Sequence, residues 1–192
     1  MKRSVLALLL GIVAGSVTAG DLHGRVTCKG GRDCADAVLY VAAIPAKTFP
    51  LPKEHAKIDQ KNLKFIPRVL PILVGTTVDF LNSDAVLHNV FTADACADKF
   101  NLGTWAQGET KSYTFKKECA ALLLCKVHPE MEAYVVAVPT PYFAVAQTDG
   151  SYHISDLPDG SYTLKVWHPK LKAAGKPVTV AGPTEANFDI AK

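Results

Sequence analysis

A short segment of the sequence brings together three residues that commonly bind transition metals. It runs from Cys125 to Met131 and contains a thiol, the imidazole of His128 and a thioether. A further imidazole, that of His88, stands on a separate segment. Two imidazoles and a thiolate in a trigonal set, with a weak axial thioether, are the ligands of blue copper sites, because soft sulfur suits Cu(I) and imidazole suits Cu(II). The sequence therefore predicts one type 1 copper ion bound by His88, Cys125, His128 and Met131.

The same residues have competing interpretations: a structural zinc site, a catalytic Cys–His pair, or an ordinary buried thiol beside a gap-filling methionine. Structural zinc sites use closed sets of Cys and His and have no use for a thioether. A catalytic thiolate needs an electropositive cleft and a group that orients its histidine, whereas Cys125 ends an apolar run. The chain has two methionines, Met1 and Met131, so removal of a leader leaves one, at the axial position. These points favour copper.

The chain has an odd number of cysteines, which leaves one thiol over in an oxidising compartment. The five are Cys28, Cys34, Cys96, Cys119 and Cys125. The first two lie close together in a polar, glycine-bearing segment, and the next two flank a hairpin-like segment. We therefore predict two disulfide bonds, Cys28–Cys34 and Cys96–Cys119, with Cys125 free for the metal.

The N-terminus has the pattern of a secretory signal peptide over residues 1–19. Lys2 and Arg3 form a basic region, Val5–Val13 is mainly apolar, and Val17–Ala19 offers a small-residue cleavage site. We expect a periplasmic or otherwise exported protein with no stable membrane insertion after leader removal; an uncleaved anchor is the alternative. Of the 21 basic residues, 19 remain without Lys2 and Arg3, against 18 acidic residues. This near-neutral balance gives no reason to expect nucleic-acid binding.

Short alternating or apolar segments separated by Gly, Pro, Asn and Asp predict an all-β fold. The candidate strands are Gly24–Thr27, Ala37–Ala42, Val69–Val74, Thr77–Leu81, Ser112–Phe115, Ala121–Cys125, Ala133–Val138, Tyr142–Gln147, Ser151–Ile154, Ser161–Val166 and Pro177–Val180. Two proline-rich stretches, Pro45–Pro52 and Pro139–Pro141, interrupt this pattern. We predict that both are connections at domain edges.

Around the candidate ligands the sequence resembles the cupredoxin family of type 1 blue copper proteins. Phe65–Pro67 and Val74–Asp84 resemble the strands that lead to the family's first histidine ligand, and the Cys-x2-His-x2-Met loop is similar to that of amicyanin. Plastocyanin has a longer loop. The resemblance covers about residues 55–139 and implies a Greek-key β-sandwich. It also implies that the four residues named above are the copper ligands, and that Asn89 ties the two ligand loops together.

Two positions depart from this family pattern. Lys126 stands where a hydroxyl residue often follows the cysteine, so we expect an altered tie to Asn89 and an effect on the reduction potential. Glu130 stands between His128 and Met131. An apolar residue there would better suit a hydrophobic docking surface for a partner.

The rest of the chain resembles a carboxypeptidase regulatory-like, transthyretin-type β-sandwich. Asp149–His168 resembles its later strands, and Gly24–Val26 and Ala35–Val41 its opening strands; its histidines, among them His153, are interpreted as surface or structural residues. Each fragment alone would leave strand edges uncovered, so we predict that they join. The predicted domains are an accessory sandwich of residues 20–48 and 140–192 and an inserted cupredoxin domain of residues 49–139; two sequential domains are the alternative.

These features predict a non-enzymatic copper protein, with no catalytic residues, that carries single electrons. The expected partner is a redox protein such as a cytochrome or a dehydrogenase, and proteins of this two-part type resemble ones labelled methylamine-utilisation proteins. One alternative is a copper-binding or copper-delivery protein without an electron-transfer role. Another is a metal-free scaffold or adhesion module. Oxidation kinetics with a cytochrome separate the first two functions, and stoichiometric copper binding excludes the third.

Overall fold

The computed structural model describes residues 19–29 and 34–191, so the predicted signal peptide lies almost wholly outside the described residues. Its described part is built from β-strands, which confirms the all-β fold class, and it contains one short 3-10 turn at Ala95–Ala97. The strands in chain order are β1 (Ala19–Cys28), β2 (Val38–Val41), β3 (Ala56–Gln60), β4 (Phe65–Ile66), β5 (Val69–Leu73), β6 (Thr77–Asn82), β7 (His88–Phe91), β8 (Asn101–Trp105), β9 (Thr110–Thr114), β10 (Cys119–Leu124), β11 (Glu132–Val138), β12 (Phe143–Val145), β13 (Ser151–Pro158), β14 (Gly160–His168), β15 (Leu171–Val180), β16 (Thr184–Glu185) and β17 (Phe188–Ile190). Within these residues, no helix has the length and apolarity needed to cross a lipid bilayer.

The middle of the chain forms one sandwich, which contains the four candidate ligands. A sheet with the order β5-β11-β10-β7-β8 packs on a sheet with the order β4-β3-β6-β9. The alternation of side chains explains this packing: every second residue of β10 is buried, and Ala121 and Leu123 are completely inaccessible. The core continues through Phe80 and Trp105. One end of the sandwich carries the start of β7 and the end of β10, which brings His88 and Cys125 to the same edge.

The two ends of the chain form a second sandwich. In one of its sheets β1 pairs with β13, β16 and β17, and in the other β2 lies between β12 and β14. Residues from both ends share one core, which includes Leu22, Leu39, Leu164 and Ile190. Strand β2 also pairs with β14, so residues near the start of the chain contact the C-terminal strands directly.

The two chain crossings between the sandwiches lie side by side. The hydroxyl of Thr140 donates a hydrogen bond to the carbonyl of Val41 over 2.8 Å. The backbone N–H of Val41 in turn donates to the carbonyl of Tyr142 over 2.9 Å. The chain therefore leaves the second sandwich and returns to it at one place.

A small apolar interface joins the two sandwiches. Four buried valines form its centre: Val38, Val69, Val136 and Val138. At its edge the rings of Tyr134 and Trp167 lie 5.3 Å apart, centroid to centroid. The guanidinium of Arg68 pairs with Asp36 in one sandwich and with Glu132 in the other. Because Glu132 follows Met131 directly, this ion-pair network connects the second sandwich to the ligand loop.

Both predicted disulfide bonds are confirmed. Cys28 is bonded to Cys34, and Cys96 to Cys119. The remaining thiol is that of Cys125, which is buried.

Candidate metal centre

His88 begins β7 and is held rigidly by the turn that precedes it. Its side chain is completely buried, and its Nε2 lies 2.9 Å from Oδ2 of Asp84. Asp84 also accepts hydrogen bonds from the backbone N–H groups of Asn62, at 2.7 Å, and Leu63, at 3.0 Å. Desolvation raises the pKa of Asp84, but these hydrogen bonds and the imidazole lower it by more, so the pKa lies below its usual value. An ionised carboxylate only accepts, so Nε2 of His88 donates and Nδ1 is left as the metal-binding atom.

Cys125 follows the last residue of β10 and lies at the bottom of the site. Only 3% of its surface is exposed. The backbone N–H of Asn89 points at its sulfur, with a nitrogen–sulfur distance of 3.4 Å. A metal-bound thiolate can accept a hydrogen bond from a backbone donor placed in this way.

His128 faces both of these groups from the turn after β10. Its Nδ1 lies 3.1 Å from Nδ1 of His88 and 4.0 Å from the sulfur of Cys125. The three ligand atoms all lie within 4.8 Å of one another. This spacing is close to the separation of ligand atoms that bind one shared ion, whose imidazole and thiolate bonds are about 2.0–2.3 Å long. His128 is half-buried, whereas the other two side chains are buried.

Met131 directly precedes β11 and is 1% exposed. Its backbone N–H donates to the carbonyl of His128 over 3.1 Å, which closes the loop that carries both residues. Met131 also lines a cavity of about 390 Å³ together with Phe65, Arg68 and Glu130. It thus shares the buried core with Cys125, and its role as axial ligand stays a prediction.

Asn89 ties the two ligand segments together despite the change at Lys126. Its Oδ1 accepts a hydrogen bond from the backbone N–H of Lys126 over 3.2 Å, and its Nδ2 donates to the carbonyl of Gly103 over 2.6 Å. The tie therefore uses the backbone of Lys126 and does not need a hydroxyl group. The Lys126 ammonium lies 5.4 Å from the ring centroid of Phe91, away from this contact.

The donor set fits a copper ion. It combines one sulfur with two imidazole nitrogens, and copper accepts both types of donor. Asp84 was not assigned a role from the sequence. An acidic residue four positions before a candidate histidine ligand, in the turn that leads to it, was the signal that could have identified it.

Replacing Asp84 with asparagine tests this carboxylate–imidazole pair. We expect Asp84→Asn to weaken Cu(II) binding about tenfold, because partners of this kind orient the imidazole and raise its basicity. If Cu(I) binding is less affected, the reduction potential rises by up to about 59 mV, the value of a tenfold change for one electron. Copper affinity by competition with a chelator and the potential by redox titration measure both effects.

Asp79→Asn is the matched control, because Asp79 also contacts a histidine, His55, at 2.9 Å, but on the outside of the sandwich. Equal changes in both variants, or none in Asp84→Asn, would contradict the assigned role.

Comparison with known proteins identifies the middle sandwich. Residues 52–138, which include all four candidate ligands, match the family of copper binding proteins called the plastocyanin/azurin family. No curated protein is significantly similar in sequence.

Among solved structures, a copper-containing nitrite reductase from Thermus scotoductus SA-01 is 27% identical over 50% of this chain, with a TM-score of 0.42. The match spans 25% of the length of that enzyme. A purple cupredoxin from Nitrosopumilus maritimus is 27% identical over 43% of this chain and 98% of its own, with a TM-score of 0.39. A variant of amicyanin in its Cu(I) form is 24% identical over 50% of this chain and 98% of its own, with a TM-score of 0.43.

The family match and the clustering of His88, Cys125 and His128 agree on the same segment. Two imidazoles and a buried thiol at ligand distance are the donor set that this family uses for copper. Residues 52–138 therefore match the plastocyanin/azurin family of copper-binding proteins and bring together three donors of the copper-binding type.

Proposed function

We propose that this protein is exported to the periplasm or an equivalent compartment and carries single electrons between redox proteins. One type 1 copper ion, held by His88, Cys125, His128 and Met131, supplies the redox chemistry. The observation that carries the proposal is the convergence of the first three ligand atoms within 4.8 Å at one buried point. The two disulfide bonds support export, since such bonds persist in oxidising compartments.

The burial of the ligands favours electron transfer over copper delivery. His88 is 0%, Cys125 3% and Met131 1% exposed, so a chelating partner cannot reach them without local unfolding. A ligand set held in a packed core changes little when an electron moves, which suits a carrier. Delivery requires the opposite, an accessible and exchangeable site. Because four protein ligands fill the site, it has no open position for a substrate, and we assign no enzymatic activity.

The surface around His128 supports docking of a protein partner. The exposed apolar side chains nearest to the ligands in sequence are Val86, Leu87 and Val127, with exposed fractions of 45%, 54% and 43%. Glu130 is also exposed on the same loop. The half-buried imidazole of His128 is the ligand closest to solvent, so electrons enter and leave through this end of the domain.

The cupredoxin domain, residues 49–139, is inserted in an accessory sandwich of residues 20–48 and 140–192. The support is that strands from both chain ends pair with each other, and that the crossings at Val41 and Thr140 are adjacent. Insertions are tolerated where the ends of the inserted domain lie close together.

Stopped-flow kinetics with a soluble c-type cytochrome test the electron-transfer role. We expect the Cu(I) protein to reduce the ferric cytochrome at a rate proportional to cytochrome concentration. Val127→Asp should slow the bimolecular reaction roughly tenfold, because a charge at the centre of an apolar docking surface removes favourable contacts.

Leu51→Asp serves as the control and should leave the rate unchanged. Leu51 is 52% exposed but contacts Gly75, which lies at the end of the domain opposite the ligands. If the reduced protein fails to transfer electrons, or if both substitutions slow the reaction equally, the proposed function is wrong.

A further inference from the structure

Three side chains of metal-binding types, two imidazoles and one carboxylate, lie in one row across the accessory sandwich. In the antiparallel pairing of β1 with β13, His23 is directly opposite His153. In the parallel pairing of β1 with β16, His23 is directly opposite Glu185. All three side chains are exposed, while their neighbours Leu22, Tyr152 and Ala186 are buried, so the row lies on the outer face of the sheet.

The row forms part of the wall of one cavity. His23, His153 and Glu185 all line an open cavity of about 750 Å³. Side chains directly opposite each other on paired strands have Cβ atoms only about 4.5–5.5 Å apart. Two imidazoles at that spacing can turn toward a shared ion, and a carboxylate on the next strand can reach the same ion from the other side of His23.

The contacts around this row of side chains leave the imidazole of His23, its central member, available to bind an ion. Within the described residues, the imidazole of His23 has no hydrogen-bond partner. Nε2 of His153 lies 3.6 Å from Oδ1 of Asp21, within ion-pair range but too far for a hydrogen bond, so this exposed imidazole can turn toward an ion. Oε1 of Glu185 accepts a hydrogen bond from Nδ2 of Asn187 over 2.7 Å, and the second carboxylate oxygen remains able to bind an ion. The nearest cation of the cavity wall, Arg25, is paired with Asp149 at 3.0 Å.

We propose that His23, His153 and Glu185 form a second metal site, distinct from the cupredoxin centre, that binds Cu(II) more tightly than other divalent ions. A site of imidazole and carboxylate donors follows the general order in which Cu(II) exceeds Zn²⁺ and Ni²⁺. The side chains do not converge before the ion arrives, since among the described residues only His88, Cys125 and His128 form a close cluster of three. Being exposed, they rotate onto the ion without disturbing the core. With no thiolate among its ligands, the bound copper lacks the intense visible band and takes the tetragonal form typical of nitrogen and oxygen donors.

Electron paramagnetic resonance during titration with Cu(II) tests the site. After one equivalent has filled the cupredoxin centre, we expect a second equivalent to give a separate spectrum characteristic of tetragonal nitrogen and oxygen ligation. His23→Gln and His153→Gln should each weaken binding of this second ion at least about tenfold, because each removes a ligand and even the loss of a supporting contact commonly has that effect. Both variants should keep the spectrum of the cupredoxin centre.

His55→Gln is the matched control. The imidazole of His55 is also about half exposed and lies 2.9 Å from a carboxylate, that of Asp79, but β6, the strand beside it, offers no second imidazole. It should leave the second ion bound. Absence of a second spectrum, or a second spectrum that persists in the double variant His23→Gln/His153→Gln, would overturn the proposal. Failure of the cupredoxin assignment is separately visible, as absence of the first spectrum from every variant.

Discussion

Cys125→Ser removes the intense visible absorption of the Cu(II)-loaded protein completely. That absorption arises from charge transfer between a thiolate sulfur and Cu(II), and a serine oxygen cannot form the same covalent bond. The imidazoles of His88 and His128 keep their positions, because Asp84 and the loop bonds that hold them do not involve Cys125. The expected result is therefore protein that still folds and still binds copper but is colourless. A visible spectrum and a measurement of copper content on the same sample record both properties.

The double variant Cys28→Ser/Cys34→Ser is the control for loss of sulfur in general. It removes two sulfur atoms from the accessory sandwich, where they form a disulfide bond, and should keep the colour. A wild-type protein that binds copper without colour would show that the site is not type 1, and a storage or delivery role would then be preferred.

Met131→Leu keeps the colour and raises the reduction potential. The thiolate and both imidazoles remain, so the charge-transfer band persists. Loss of the axial thioether disfavours Cu(II) relative to Cu(I), and we expect a shift of at least about 59 mV, equivalent to a tenfold change in preference. Leucine has a volume close to that of methionine, so the buried core around residue 131 stays packed. Redox titration followed at the visible band measures the shift.

Ile58→Leu controls for a general change in packing. Ile58 lies in β3, is completely buried and belongs to the same core as Met131, but it is not a candidate ligand. The potential should not change. An unchanged potential in Met131→Leu would mean that the thioether does not reach the metal.

The sequence predicted the ligand cluster well because the chemistry of the residues and their spacing are local properties. Cys125 and His128 lie on one short turn, so their proximity follows from chain connectivity. The approach of His88 could not be derived from spacing, because no rule connects β7 with β10. Its assignment came from the donor set that it completes and from the resemblance to a known family. The disulfide bonds were also predictable. When each cysteine is paired with its neighbour in sequence, Cys125 remains, and it is the cysteine that lies close to a histidine in the sequence.

Other features depend on tertiary contacts that sequence patterns do not record. Six strands of the described part of the chain were not among the candidates: β3, β4, β7, β8, β16 and β17. Strand β7 reads His-Asn-Val-Phe, and its two polar residues, His88 and Asn89, are buried because each has specific partners. Strand β8 is mostly exposed and contains Gly103, so it lacks the alternation that marks a strand. The role of Asp84 likewise depends on backbone donors of Asn62 and Leu63, which come from a distant turn.

The adjacent crossings at Val41 and Thr140 set an order for folding. These residues are 99 positions apart in the chain, yet one hydrogen bond joins them. If the accessory sandwich formed first, it would have to close a loop of the whole intervening chain, and the loss of conformational entropy would be large. If the cupredoxin domain folds first, it brings the two crossings together and leaves an effective loop of only a few residues. This shortening corresponds to about five successive halvings of the loop length. Each halving lowers the closure cost by about 0.6 kcal/mol, or about 3 kcal/mol in all. We therefore expect the copper-binding domain to be the template on which the two chain ends assemble, so a destabilised cupredoxin core slows the folding of both sandwiches.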